Sequence, residues 1–333
     1  MAKAETVQIL VISLVLITAI IGGTYVTSII RSDDPIQTPR LIEKAVEPVE
    51  RGVELPTLWI FLNDSEVNSR HWTGFEERSS RVINLPFLNL CYQTCVKANG
   101  QDYRIEVIGG LADLAVRLGG WSALPTSLQN PIAPVREPEL NWIRAAVLAK
   151  WGGLWVSPAT LWLKPMGPLP KHVVLFGSDD EVTFVGDGGT SAPSLRVAWS
   201  PIPEHPVWRA WEEKVRIRLE KRGGGSEFRR DEMADATDAI RLGSTMQEPV
   251  EVRPLAELTR KGAAGRRIQI EDLLAAGQEG VIPFAVPREA LYVPIPWPEL
   301  QERRAFGWFL RLSEEQILES DLAITWLFRM TIG

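Results

Sequence analysis

Side chains able to bind a phosphate group are concentrated in one apolar stretch, residues 141–166. Asn141 and Arg144 are three residues apart, so a helix would place them on one face. An arginine guanidinium can grip two phosphate oxygens at once, and Ser157 and Thr160 add two hydroxyls. The stretch therefore offers one arginine and two hydroxyls for anion binding. A structural ion pair on the helix face is the alternative role for Arg144.

The spacing of apolar residues predicts the elements that carry these side chains. We expect a helix over Trp142–Lys150, a turn at Gly152-Gly153 and a strand over Leu154–Leu163. An apolar helix leading into an apolar strand is typical of the middle of an α/β core. Further predicted strands and helices alternate along the chain, as in a nucleotide-binding sheet, and the main ones are strands at 57–62, 103–108, 173–176 and 195–200, and helices at 88–98, 111–118, 207–222 and 313–330.

This stretch resembles the central motif of a family of sugar-nucleotide glycosyltransferases, the capsular polysaccharide synthesis and OCH1-like (glycosyltransferase family 32-like) enzymes. The matching positions are Arg144, Lys150, Gly152, Gly153 and Trp155. Roughly residues 55–210 follow the family's order of elements. The resemblance implies a GT-A-like α/β fold, with a mixed, mostly parallel sheet flanked by helices. It also implies transfer of a sugar from a nucleotide-sugar donor to a glycan or protein acceptor.

The resemblance also implies a donor pocket. Trp59 would lie near the nucleotide base, although burial in the core is an equal alternative for it. Arg144 would neutralise the diphosphate as charge develops on it, and His205 belongs to a small-His-Pro step common in the family. No catalytic residue is assigned. The predicted nucleotide-sugar-binding residues are Trp59, Asn63, Asn141, Arg144, Trp155, Ser157, Thr160 and His205.

The chain departs from the family where a divalent metal is normally held. The family has carboxylates where this chain has Asn141, Ser157 and Ala159, and Mn²⁺ or Mg²⁺ prefers carboxylate oxygens. Asp179 and Asp180, after the predicted strand at 173–176, are the best alternative ligands, unless they form an acidic turn in solvent. Metal dependence is therefore doubtful, and no metal site is predicted.

Two functions remain open from the sequence. In the first, a glycosyltransferase works with a reduced or absent metal site through Arg144, Ser157 and Thr160. In the second, a catalytically inactive glycosyltransferase fold is a membrane-tethered binding or structural protein. The chain shows no P-loop, nucleophile elbow, zincin motif or cysteine cluster for zinc.

The N-terminus predicts attachment to a membrane. Residues 7–30 carry no formal charge and are long enough to cross roughly 30 Å of hydrocarbon. Basic residues on both sides leave the orientation open. We therefore expect a single-pass membrane protein whose parts are a tail at 1–6, an anchor at 7–30, a linker at 31–54, a GT-A-like core at 55–222 and a C-terminal extension packing on the core at 223–333.

The amino-acid composition limits the classes of binding partner. A net charge of −6 argues against nucleic acid, which requires a basic face. Most of the thirteen tryptophans are expected in the core. Cys91 and Cys95, four residues apart on a predicted helix, suit two buried thiols better than a disulfide.

Overall fold

The structure, a computed structural model, describes a defined part of the chain. The described residues are 55–62, 86–129, 135, 137–183, 190–220, 232–253, 268–277, 286, 288 and 290–332. The predicted membrane anchor at 7–30 and the predicted site residue Asn63 lie outside them. Within the described ranges, no helix combines the length and the apolar character needed to cross a membrane.

A mixed sheet of six described strands forms the centre of the molecule, in the order β2-β1-β3-β6-β5-β7. Strand β6 is antiparallel to both of its neighbours, whereas β1–β2, β1–β3 and β5–β7 are parallel pairs. This confirms the predicted α/β fold with a mixed, mostly parallel sheet flanked by helices. The strands are β1 (Thr57–Leu62), β2 (Arg104–Gly109), β3 (Gly153–Val156), β4 (Thr160–Trp162), β5 (Val173–Thr183), β6 (Thr190–Ser200), β7 (Val250–Arg253) and β8 (Tyr292–Pro294).

Helices cover both faces of this sheet. The α-helices are α1 (Pro86–Asn99), α2 (Gly110–Leu118), α3 (Thr126–Gln129), α4 (Glu137–Trp151), α5 (Pro206–Glu220), α6 (Glu232–Met246), α7 (Ile270–Leu273), α8 (Trp297–Glu302), α9 (Glu314–Glu319) and α10 (Ala323–Ile332). Helices α2, α4 and α5 bury apolar side chains against one face. The other face packs against α1 and the small β4–β8 sheet, beyond which lie the C-terminal helices.

Two predicted elements are each divided in the structure. The strand predicted at 154–163 is two strands, β3 and β4, because Pro158 cannot donate to a ladder and β4 pairs with β8 in a second sheet. The helix predicted at 313–330 is divided into α9 and α10. At the division, the Ser320 hydroxyl bonds to the Ile317 carbonyl, an alternative to continuing the helix.

The cysteine prediction is confirmed. Cys91 and Cys95 are free thiols, both buried on α1. Burial raises the pKa of the Cys95 thiol to about 12 and that of the Cys91 thiol well above its usual value. Both side chains therefore act as small apolar groups in the core.

The Gly152-Gly153 turn is required by packing. Both residues have positive φ, +64° and +93°, a region that side chains disfavour. A Cβ at Gly152 would lie 2.8 Å from the Ile202 carbonyl carbon, and one at Gly153 would lie 2.3 Å from the Thr57 carbonyl oxygen. Gly153 thus lies at the start of β3, where the backbones of β3 and β1 are in direct contact.

We expect Gly153→Ala to destabilise the protein more than Gly167→Ala. Gly167 also has positive φ, but a methyl group added there would have nothing within 4 Å of it, so its substitution should cost about 1–2 kcal/mol of backbone strain. Gly153→Ala adds the clash with Thr57 and should exceed that range. Urea unfolding gives the free energy of unfolding of both variants. Equal losses of this free energy would show that β1 and β3 move apart in the folded protein without an energetic penalty.

Candidate functional site

Arg144 is held in the core between helix α4 and the sheet. Its side chain is 0% exposed, and its Nη1 donates to Asn141 Oδ1 at 2.5 Å on the same helix. The guanidinium carbon lies 5.7 Å from the ring centre of Trp155 on β3, within cation–π range. Trp155 in turn stacks on Phe61 of β1. The predicted residues Asn141, Arg144 and Trp155 therefore form one buried group.

Ser157 and Thr160 line a small cavity beside a different apolar cluster from that of Arg144 and Trp155. They line a cavity of about 10 Å³ together with Ile60 and Val156, whose side chains belong to the apolar cluster opposite Trp155. Such a cavity holds about one water molecule. Arg144 is not among the described residues that line it, and the cavity is far too small for a nucleotide.

The donor set at this cavity does not fit a resident Mn²⁺ or Mg²⁺. Both ions prefer several oxygen ligands, carboxylates above all, whereas the oxygen-bearing side chains that line the cavity are Tyr92, Ser157 and Thr160. Across the described residues, no three His, Cys, Asp or Glu side chains are grouped to hold a metal.

The alternative metal ligands are placed differently from the prediction. The strand predicted to end at Phe176 continues as β5 to Thr183, so Asp179 and Asp180 lie inside a strand and not after it. Their backbone falls where the β5–β6 register shifts between Gly177 and Val182. A long hairpin with β6 extends β5 beyond the apolar run that the prediction used. Their side chains lie outside the described part.

His205 lies near the opposite end of helix α4 from Asn141. It precedes α5, and its Nδ1 accepts a hydrogen bond from the Val207 amide. The neighbouring Glu204 amide donates to the carbonyl of Ala149 at 2.6 Å. Ala149 is eight residues beyond Asn141, a rise of about 12 Å along the helix. His205 thus caps α5 and is not brought to the Arg144 group.

Trp59 is a core residue that lies at the amino end of the sheet. It is buried, and its Nε1 donates to the Gly152 carbonyl at 2.9 Å. Its ring packs against Trp151, with centres 5.2 Å apart. Trp59 is also the register partner of Trp155 in the β1–β3 ladder, so it borders the Arg144 group. The small cavity with Ser157 and Thr160, and His205 before α5, lie apart from that group.

Sequence reasoning missed a larger recess, which we call the amino-edge cleft. It has a volume of about 380 Å³ and is lined by Thr57, Trp59, Arg104, Glu106, Arg117 and Trp151. A signal was present in the segment YRIEVI, where Arg104 and Glu106 alternate with apolar residues. This alternation places both charges on one face of β2.

No protein-family model matches this chain, and no curated protein matches it either.

We expect Arg144→Ala to act on stability. The substitution removes a long buried side chain between α4 and Trp155 and should lower the free energy of unfolding by about 2–5 kcal/mol. The matched control is Arg209→Ala, a helix arginine whose side chain is 65% exposed and paired with Glu204; it should cost about 0–1 kcal/mol. Urea unfolding compares the two, and similar losses would contradict a core role for Arg144.

We also expect His205 to make stability depend on pH. Burial lowers the pKa of His205 below its ordinary value of 6.5, with an opposing contribution from Glu248. The unfolded chain then binds more protons than the folded chain between the two pKa values. Stability from this residue is therefore complete above pH 6.5 and is lost as the pH falls through that value toward the folded pKa.

The test of this pH dependence is His205→Asn, which keeps a helix-capping acceptor but does not titrate. The free energy of unfolding is measured for both proteins at about pH 7.5 and about pH 5.5. The loss on acidification should be smaller in the variant. Equal losses would assign the pH dependence to other groups.

Proposed function

We propose that this chain is a membrane-tethered protein whose GT-A-like, glycosyltransferase-like fold has a binding or structural role and not a catalytic one. The observation that carries this proposal is the position of Arg144. The guanidinium that the resemblance assigns to the donor diphosphate is fully buried, bonded to Asn141 and packed on Trp155.

The chemistry of transfer explains why this position matters. A leaving diphosphate must meet a cation as its charge develops, and Arg144 could reach one only by leaving its place in the core. Ser157 and Thr160 line a small cavity whose described lining residues do not include Arg144. This separation supports a role for the three groups other than gripping one diphosphate.

A second candidate, a glycosyltransferase, is favoured by the topology of the sheet. Strands β2, β1 and β3 are adjacent and parallel, so their carboxyl ends meet at one edge, where open α/β sheets bind ligands. Ser157 directly follows β3 at that edge. In this function, a nucleotide-sugar would bind there with Mn²⁺ or Mg²⁺ on its diphosphate, and a glycan or protein would accept the sugar.

The proposed tether is the uncharged segment 7–30. Its 24 residues match the thickness of a bilayer core. The charged segment 31–54, with its three prolines, would link this anchor to the folded part. This is a single-pass arrangement with the sheet domain on one side of the membrane.

The deciding experiment uses the full chain in detergent with UDP-, GDP- and CMP-sugars, each with and without Mn²⁺. Release of free nucleotide and calorimetric binding are both measured. We expect no release above a protein-free blank and no saturable heat. The matched variant is Ser157→Ala, which should behave as the parent protein does.

Donor-cleaving activity that copurifies with the protein and falls in Ser157→Ala would contradict the proposal and favour the glycosyltransferase, with water taking the sugar in the absence of an acceptor. If that activity required Mn²⁺, ligands would be sought at Asp179 and Asp180. Release without a metal would direct attention to cationic side chains at the same edge.

A further inference from the structure

The floor of the amino-edge cleft is formed by one face of strands β1 and β2. Thr57 pairs with Arg104 and Trp59 with Glu106 in the parallel ladder. The next residues on this face, Phe61 and Ile108, are covered by the helix layer. The cleft is therefore the part of this face, at the amino ends of the strands, that the helices leave open.

Its walls are the C-terminal ends of helices α2 and α4. Arg117 comes from the last turn of α2, and Trp151 is the last residue of α4. A hydrogen bond joins the two walls, because Lys150 Nζ donates to the Arg117 carbonyl at 2.9 Å. The same ammonium lies 5.1 Å from the ring centre of Trp151. The recess thus has a fixed shape with an indole wall.

Glu106 is placed to accept hydrogen bonds from a ligand. Its two carboxylate oxygens lie 3.6 Å from Arg104 Nε and 3.6 Å from Arg117 Nη1. These distances give charge attraction but are too long for hydrogen bonds. The carboxylate, about one-third exposed, therefore keeps acceptor capacity between two guanidinium groups.

The charges in and beside the cleft are of both signs, so an ion of either sign meets like charge there. The cations are Arg104, Arg117 and Lys150, and Lys150 is already bonded to the Arg117 carbonyl and lies over Trp151. The carboxylates are Glu106, between the two guanidinium groups, and Asp113, which is paired with Arg117, and two helix C-termini add partial negative charge. What remains favourable is a neutral ligand that both donates and accepts hydrogen bonds, as hydroxyl groups do.

We propose that the amino-edge cleft binds a neutral saccharide. Sugar hydroxyls would donate to Glu106 and accept from Arg104 and Arg117, while C–H groups of the ring contact the Trp59–Trp151 wall. The volume of about 380 Å³ falls within the range of small-molecule sites. The cleft lies at the end of the sheet opposite the donor edge, so this binding goes beyond the proposed function and does not depend on it.

The test titrates the full chain in detergent with four neutral trisaccharides, namely maltotriose, cellotriose, mannotriose and triacetylchitotriose. Calorimetry should show saturable binding of at least one, with a dissociation constant of about 1 mM or tighter. Glu106→Gln keeps the shape of the side chain but removes its charge. We expect it to weaken that binding by about tenfold or more.

A second variant and two controls separate binding from folding. Arg104→Gln changes a side chain that is 64% exposed, so it should fold normally and also weaken binding. Glu213→Gln and Arg209→Gln alter exposed helix residues away from the cleft and should bind as the parent does.

Three outcomes would overturn the proposal. The first is that none of the four trisaccharides saturates, and the second is that saccharide binding is unchanged in both Glu106→Gln and Arg104→Gln. The third is that inorganic phosphate, titrated in parallel, binds and is lost in Arg104→Gln, which would make the cleft an anion site. The trisaccharide titration uses no nucleotide-sugar. A negative result in it would therefore reject the saccharide cleft without bearing on the proposed function.

Discussion

Backbone contact between β1 and β3 is the constraint on which the arrangement of the molecule depends. A Cβ on Gly153 would overlap the Thr57 carbonyl, so the two strands can lie side by side only with glycine there. The same turn ends α4 and receives the Trp59 indole on the Gly152 carbonyl. One contact thus fixes where α4 stops and where β3 starts. It also fixes which face of the sheet Trp59 occupies.

The placement of the α4 side chains depends on where the Gly152-Gly153 turn holds this helix. Arg144 and Asn141 are directed into the core because the helix lies flat on Trp155. At its other side, Trp142 bonds to Glu212, and its ring lies 4.9 Å from the Arg216 guanidinium of α5. Helix α4 is therefore held on both sides by tryptophan–arginine contacts. In this arrangement Arg144 and Trp142 both contribute to the packing of α4.

The sequence predicted the sheet well because its strands are short, apolar and separated by clear turns. Thr57–Leu62 is a strand with the predicted bounds. Period and composition do not show which side chains the fold brings together, so the site residues stay a prediction. Arg144 and Ser157 are close in sequence, but Arg144 packs on Trp155 whereas Ser157 lines a small cavity whose described lining residues do not include Arg144. The division of β3 from β4 depends on pairing with β8, some 130 residues away.

The two buried thiols give the chain a practical property. Cys91 and Cys95 are its only cysteines, and a thiol whose pKa is raised by burial carries little thiolate at neutral pH, so it reacts slowly with alkylating reagents. A cysteine introduced on the surface would therefore be the one site that a maleimide probe labels in the folded protein. Spin labels or fluorophores could be attached at the rim of the cleft without first removing native residues.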